Sequence, residues 1–365
     1  MKKILFIATG GTIASKKTEN GLTPQITPEE LLSYIPEVEG LCEITAVNPF
    51  NLDSSNVVPE NWSTLVKVAK EHYEDYDGFV IAHGTDTMAY TAAVLSYMIQ
   101  NPEKPIVLTG AQKPIGFEIT DAKANLQDSI LYAADPCSKG VQIVFAGKVI
   151  AGTHARKARS MSVLAFESIN LPVIAEINSG RIIRYLKDDA FYRHAPESKE
   201  APQPADAPQP EGAPEQAGAQ QPADACAFYD RIDPDVFLLK LTPGMSPVLI
   251  PAIFQNYDAV IVESFGAGGI PDSIEATLFE ELSKYEPEEK ILAMTTQVTY
   301  EGSRLETYEV GRRIKDSFKI LESRDMTLEA TVAKLMWILA NKEQTWEEIE
   351  DRFYTPVAMD TLVGR

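Results

Sequence analysis

Two short segments concentrate the residues able to do chemistry: Phe6-Ile-Ala-Thr-Gly-Gly-Thr-Ile-Ala-Ser15 and Val80-Ile-Ala-His-Gly-Thr-Asp-Thr-Met88. Each begins as an apolar, strand-like run, breaks at glycine and presents a threonine at the exit, Thr12 in the first and Thr85 in the second. Strand ends of this kind are where open α/β sheets place their chemistry. Two hydroxyls delivered by adjacent strands suggest a nucleophile and its helper, and an enzyme that cleaves a small, polar acyl bond. Taken alone, each segment has a second reading. Thr9-Gly10-Gly11-Thr12 is equally a tight turn whose threonine caps the next segment. Asp86 sits where a helix N-cap carboxylate is expected, and the same geometry leaves backbone N–H groups free to hold an oxyanion.

Other polar residues are placed around these two. Asp53-Ser54-Ser55-Asn56 offers hydroxyls to a carboxylate ligand or forms an Asx/ST turn. Lys157 lies in Gly152-Thr-His-Ala-Arg-Lys-Ala-Arg159, a basic cluster that reads as a surface patch, or as a lysine desolvated near a threonine and able to accept its proton. His83 ends an apolar strand and reads as a satisfied core histidine. Thr9-Gly10-Gly11-Thr12 lacks GK[ST] and is no P-loop. Phe265-Gly-Ala-Gly-Gly-Ile270 lacks the third glycine of a dinucleotide fingerprint and reads as a close-packed loop after a strand.

The elements that must position these residues alternate along the chain. Lys3–Thr9, Glu43–Val47, Gly78–His83, Pro105–Thr109 and Val141–Phe145 read as short buried strands. Between them, Pro59 opens a helix with Trp62, Leu65, Val66 and Ala69 on one face, and Asp86–Gln100 and Asp121–Ala134 are also helical, the last capped by Thr120. The spacing predicts a larger N-terminal α/β domain over 1–190, a mostly parallel sheet with helices on both faces. A smaller C-terminal α/β domain follows over 230–365. It has strands at Asp235–Leu241, Ala259–Phe265 and Lys290–Thr296, and helices at Pro247–Gln255, Ser273–Tyr285, Leu328–Ala340 and Trp346–Phe353. Thr345 and Glu348 form a capping box for the last of these. The join, 191–229, contains Ala195–Ala225, a Pro/Ala/Gln-rich stretch without apolar anchors, expected to be a disordered spacer.

Composition narrows the classes. No run approaches the ~18 apolar residues of a membrane span. The apolar start is cut short by Thr-Gly-Gly-Thr, which reads as a first buried strand of a cytoplasmic protein. Three scattered cysteines and four histidines without HExxH spacing speak against disulfides and a metal site. A net charge of −20 disfavours nucleic-acid binding.

The chain resembles the bacterial-type L-asparaginases, and within them the cytoplasmic type I-like branch. The matching words are Ala8-Thr-Gly-Gly-Thr-Ile-Ala14, Tyr76-Asp-Gly-Phe-Val-Ile-Ala-His-Gly-Thr-Asp-Thr-Met-Ala-Tyr90, Leu108-Thr-Gly-Ala-Gln112, Phe145-Ala-Gly-Lys148, Lys157, Ala165-Phe-Glu-Ser-Ile-Asn-Leu-Pro172, Glu263-Ser-Phe-Gly266 and Thr295-Thr-Gln297. They span nearly the whole chain except Ala195–Ala225. The resemblance implies hydrolysis of L-asparagine with Thr12 as nucleophile and Thr85, Asp86 and Lys157 as the proton-transfer set. Asp86 would also bind the α-amino group, and Ser54, with Ser55 beside it, the α-carboxylate. Glu301 would add a carboxylate, across a subunit interface. It further implies no cofactor and a homodimer or homotetramer. Two positions depart from the family pattern: Leu22 stands where a loop tyrosine aligns, and Gly268-Gly269 where an asparagine is common. Three further readings share the motifs: a glutaminase-asparaginase, the deamidating component of a tRNA-dependent amidotransferase, which normally carries extra N-terminal sequence, and an amino-acid-binding protein on an enzyme scaffold.

Overall fold

A computed structural model describes residues 1–19, 21–186 and 225–363. Apart from its last residue, the expected spacer Ala195–Ala225 lies outside the described residues.

Eight strands form the large sheet: β1 (Lys2–Ala8), β2 (Cys42–Val47), β3 (Gly78–Ala82), β4 (Pro105–Thr109), β5 (Gly140–Phe145), β6 (Lys148–Ala151), β7 (Ala175–Asn178) and β8 (Arg181–Arg184). Their order is β8-β7-β6-β5-β4-β3-β1-β2. The β2-β1-β3-β4-β5 portion is parallel, with Ile7 facing Val47 on one side and Ile81 on the other. The β6-β7-β8 end is antiparallel. Chain order reverses at β1, so the crevice beyond the carboxyl ends of β1 and β3 is the sheet's topological switch point.

Strands β3, β4 and β5 and most of β1 are buried on both faces, which is why they read as continuous apolar runs. Leu5 and Ile7 face helices α2 (Pro59–His72) and α3 (Met88–Met98), whereas Ile4, Phe6 and Ala8 face α1 (Pro28–Ser33) and α4 (Ala122–Ala134). Pro59 opens α2, and Trp62, Leu65, Val66 and Ala69 are its buried residues, as the periodicity predicts. Thr120 is expected to cap α4, but the helix begins at Ala122 with Asp121 at its N-cap position and no capping side-chain bond; Thr120 Oγ1 accepts the Ala122 N–H at 3.0 Å in a turn just before it.

One expectation fails at α3. Its regular turns begin at Met88, not Asp86, and no side chain caps them. Its expected last residues, Ile99–Gln100, extend as a short strand paired with Ala227–Phe228. Asp86 is drawn into a long-range ion pair described below.

The second sheet, β9-β10-β11-β12 (Val236–Lys240, Ala259–Ser264, Ile291–Thr296, Leu321–Glu322), is parallel throughout. One face packs on α5 (Ile250–Asn256), α6 (Asp272–Leu282) and α7 (Glu309–Ser317) through Phe254, Ile274 and Ile314. The other joins the core shared by α3, α8 (Leu328–Leu339) and α9 (Trp346–Tyr354). The capping box of α9 forms as predicted: Glu348 N–H donates to Thr345 Oγ1, and Thr345 N–H to the Glu348 carboxylate.

A buried ion pair fastens the C-terminal segment to this shared core. Lys334 Nζ donates to Asp360 Oδ2 at 2.6 Å and to the Thr355 carbonyl at 2.9 Å, and Tyr97 Oη donates to the same carboxylate oxygen at 2.9 Å. Both charged side chains are fully buried. Burial pushes the Lys334 ammonium down and Asp360 opposes it. Removing one partner strands a charge in a dry interior. Asp360→Ala is therefore expected to lower unfolding stability by roughly 3–5 kcal/mol, read as the urea midpoint. An unchanged midpoint would show the pair is dispensable.

Candidate active site

Three strand exits meet at the switch point with their backbones in contact. Gly11 ends the turn after β1 with φ +76, and a Cβ there would lie 2.4 Å from Gly84 Cα. A Cβ on Gly84, after β3, would lie 2.5 Å from Ser54 Oγ. Side chains at either position would push the loops apart. The exit of β2 is sewn to that of β1 by Gly11 N–H donating to the Leu52 carbonyl at 2.8 Å and Leu52 N–H to that of Thr9 at 2.9 Å. Thr12, half-buried, opens a short 3-10 turn, Thr12–Ala14, directly after the Gly11 contact.

Ser54 is buried in a similar turn, Ser54–Asn56. Asp53 carries the Asx turn: its Oδ1 accepts from Ser55 N–H at 2.9 Å and Ser55 Oγ at 2.7 Å, bonds that hold the carboxyl below its usual range. Ser54 Oγ accepts the Asp86 N–H at 3.2 Å, and Thr87 Oγ1 donates to the Ser54 carbonyl at 2.8 Å. The turn reading of this segment therefore holds, and the turn abuts the β3 exit.

His83 is the structural pivot of that exit. Trp62 Nε1 donates to Thr91 Oγ1 at 2.9 Å; Thr91 Oγ1 lies 3.1 Å from His83 Nε2, and His83 Nδ1 lies 2.7 Å from the Gly84 carbonyl. One assignment satisfies every atom: Trp62 to Thr91, Thr91 to Nε2, and Nδ1–H to Gly84, with a neutral ring. Burial pushes the imidazole down to about 4, against the Gly84 hydrogen bond. It is a core histidine, as the sequence predicts.

Lys157 arrives from a separate two-stranded sheet. It ends strand Ala155–Lys157, paired antiparallel with Phe166–Ser168. Three residues earlier, the ring nitrogens of buried His154 lie 2.6 and 2.7 Å from the carbonyl oxygens of Ile169 and Met359, which ties this hairpin to the C-terminal segment. Lys157 Nζ donates to Thr85 Oγ1 at 2.8 Å and to Asp86 Oδ1 at 2.5 Å. The lysine side chain is 15 % exposed and the aspartate 65 %. The lysine nitrogen is thus shielded while the carboxylate stays open to a cationic ligand group.

The structure therefore brings Thr85, Asp86 and Lys157 into one hydrogen-bonded set and seats Ser54 against it, with Thr12 on the adjoining turn. Ser55 is exposed beside them. Glu301 is not hydrogen-bonded to this set: it is exposed at φ 73, and its N–H donates to Asn170 Oδ1 at 2.9 Å. Its neighbour Tyr300 donates through Oη to Glu167 at 2.7 Å, on the strand paired with that of Lys157. Leu22 lies in the hairpin Ser15–Thr18/Gly21–Pro24, opposite Lys17 and 47 % exposed. Gly268 packs on Leu305, where a Cβ would lie 2.6 Å from Leu305 Cδ2, as expected of a close-packed loop. A residue given no role by the sequence also reaches Thr85. Gln112 Oε1, from the exit of β4, accepts from Thr85 Oγ1 at 3.4 Å. Its place one strand over from Thr85 was the available signal.

Two family models match the chain: "Asparaginase, N-terminal" over residues 3–190 and "Glutaminase/Asparaginase C-terminal domain" over 235–353. An L-asparaginase of Thermococcus kodakarensis is 37 % identical over 93 % of this chain and 93 % of its own length. One subunit of the glutamyl-tRNA(Gln) amidotransferase of Pyrococcus furiosus is 32 % identical over 93 % of this chain and 72 % of its own. Among solved structures, the thermostable L-asparaginase from Thermococcus kodakarensis aligns with TM-score 0.80 and 33 % identity, covering 99 % of this chain and 100 % of that one. L-asparaginase I from Vibrio cholerae aligns with TM-score 0.79 and 26 % identity over 99 % of each chain.

The His83 environment gives a pH signature. The folded ring protonates only near pH 4, the unfolded one near 6.5, so between these values the unfolded chain takes up the extra proton. Stability is expected to fall as pH drops from 6.5 to 4, with the His83 ring neutral by NMR across that window. A ring titrating near 6.5 in the folded protein would contradict the assignment.

Proposed function

From the premise that the chain belongs to the asparaginase family, we propose that it hydrolyses L-asparagine to L-aspartate and ammonia through a threonine nucleophile and an acyl-enzyme. The observation that carries the mechanism is Lys157 Nζ bonded at once to Thr85 Oγ1 and Asp86 Oδ1 at a sheet switch point.

Thr12 Oγ attacks the side-chain amide carbon. Its proton passes through Thr85 toward Lys157, which must be neutral to receive it, and is returned to the leaving nitrogen. The carbon–nitrogen bond breaks, ammonia departs, and an aspartyl ester remains on Thr12. Water then attacks the ester, using the same relay as base, and frees aspartate and the threonine hydroxyl. Backbone N–H groups near Thr85 hold the oxyanion.

The substrate's charged ends fit the same loops. Its α-ammonium meets the open face of Asp86 and competes with Lys157 for that carboxylate. Its α-carboxylate meets the hydroxyls of Ser54 and Ser55. No step calls for a cofactor. Glu301 supplies its carboxylate across a subunit contact, in a cytoplasmic homodimer or homotetramer. Leu22 cannot donate a proton, so Thr12 is activated here without the tyrosine common in the family.

A second reading is supported by the amidotransferase relative, in which the deamidation would serve a tRNA-dependent amidotransferase. The higher identity to the Thermococcus L-asparaginase, 37 % against 32 %, favours the first. Glutamine differs from asparagine by one methylene, a discrimination of about 1–3 kcal/mol, so ammonia release is to be measured with both in parallel.

Thr12→Ala is expected to abolish ammonia release, and Lys157→Met to lower kcat by at least about 100-fold. Both variants should keep the melting temperature of the parent. Turnover by Thr12→Ala at the parent rate would overturn the threonine mechanism.

A further inference from the structure

A hydroxyl carries one proton and can accept two. Lys157 Nζ donates to Thr85 Oγ1 at 2.8 Å, so the proton of Thr85 itself must point elsewhere. Among the described residues, the acceptor it meets is the side-chain oxygen of Gln112 at 3.4 Å. An amide can be placed either way round, and its surroundings decide. Gln112 Nε2 lies 3.1 Å from the Ser162 carbonyl and 3.4 Å from that of Arg159, groups that only accept. The NH2 end therefore faces the 159–162 loop and the oxygen faces Thr85. The backbone is held as firmly: Gln112 N–H donates to Asp121 Oδ2 at 2.9 Å and Lys113 N–H to Asp121 Oδ1 at 3.0 Å, at the start of α4.

We infer that Gln112 is a positioning residue of the proton relay, setting the direction of the Thr85 hydroxyl proton and tying Thr85 to the loop that follows Lys157. This rests on the threonine mechanism proposed above. At rest Thr85 donates to Gln112 and accepts from Lys157. In the transfer, Thr85 turns its O–H from Gln112 to a neutral Lys157 nitrogen. That O–H bond breaks as the N–H bond forms, and the proton leaving Thr12 makes the new Thr85 O–H bond. The long, uncharged contact to Gln112 holds the resting orientation without trapping it.

The test uses Gln112→Met, which keeps the length of the side chain without its polar ends, and Gln112→Ala, which also removes its packing. Each is made in the parent and in Thr85→Val, with asparagine as substrate. In the parent, both are expected to lower kcat about tenfold, with KM within about twofold and a changed solvent deuterium isotope effect on kcat. In Thr85→Val neither should add a further loss, since Gln112 acts through the hydroxyl that is gone. The inference is overturned by a parent-like kcat in Gln112→Met, by a change confined to KM, by losses that follow melting temperature across the two variants, or by losses that add in Thr85→Val. A parent enzyme without ammonia release, or one unaffected by Thr12→Ala, overturns the mechanism and this inference together. An active parent silenced by Thr12→Ala but indifferent to Gln112→Met overturns the inference alone.

Discussion

Everything at this site depends on backbone contact between the exits of β1 and β3. Gly11 rests on the backbone of Gly84, and Gly84 rests on Ser54. Methyl groups at these places would clash with the facing loop and force the exits apart. Because the strands are parallel and the chain order reverses at β1, their carboxyl ends open on the same crevice. The glycines let the exits close that crevice around polar side chains. The chain Trp62–Thr91–His83–Gly84 then fixes the β3 exit from beneath, with a hydrogen-bond role for each polar atom.

Lys157 completes the site from a short hairpin anchored through His154 to the C-terminal segment. That segment is in turn held by the buried Lys334–Asp360 pair at the core shared by both sheets. The position of the lysine therefore depends on contacts made late in the sequence, and the second sheet serves the site by holding its supports.

Much of this was legible in the chain. Strands β1, β3, β4 and β5 are buried on both faces, so they appear as unbroken apolar runs, and Pro59 and the Thr345/Glu348 box mark helix starts by local chemistry alone. The misses have physical reasons. β12 has two residues, and β7 and β8 have four each, too few for periodicity to register. Ile99–Gln100 continues a helical pattern, but pairing with Ala227–Phe228, far along the chain, draws it into a strand. Asp86 has the local features of a cap, and an ion pair with a lysine 71 residues away takes its carboxylate instead. The two threonine motifs and Lys157 were readable because residue type restricts their chemistry. Gln112 had only its place at the neighbouring strand exit to mark it, since an amide there acquires a role only from what faces each of its ends.

In the proposed mechanism Thr12 carries the acyl group while Thr85 carries only protons. This division of roles is tested most directly by acid-quenching the enzyme during turnover of asparagine and mapping the peptides by mass spectrometry. An aspartyl ester is expected on the peptide containing Thr12, at the Thr12 hydroxyl. An ester on Thr85, or turnover with no ester on either threonine, would contradict it.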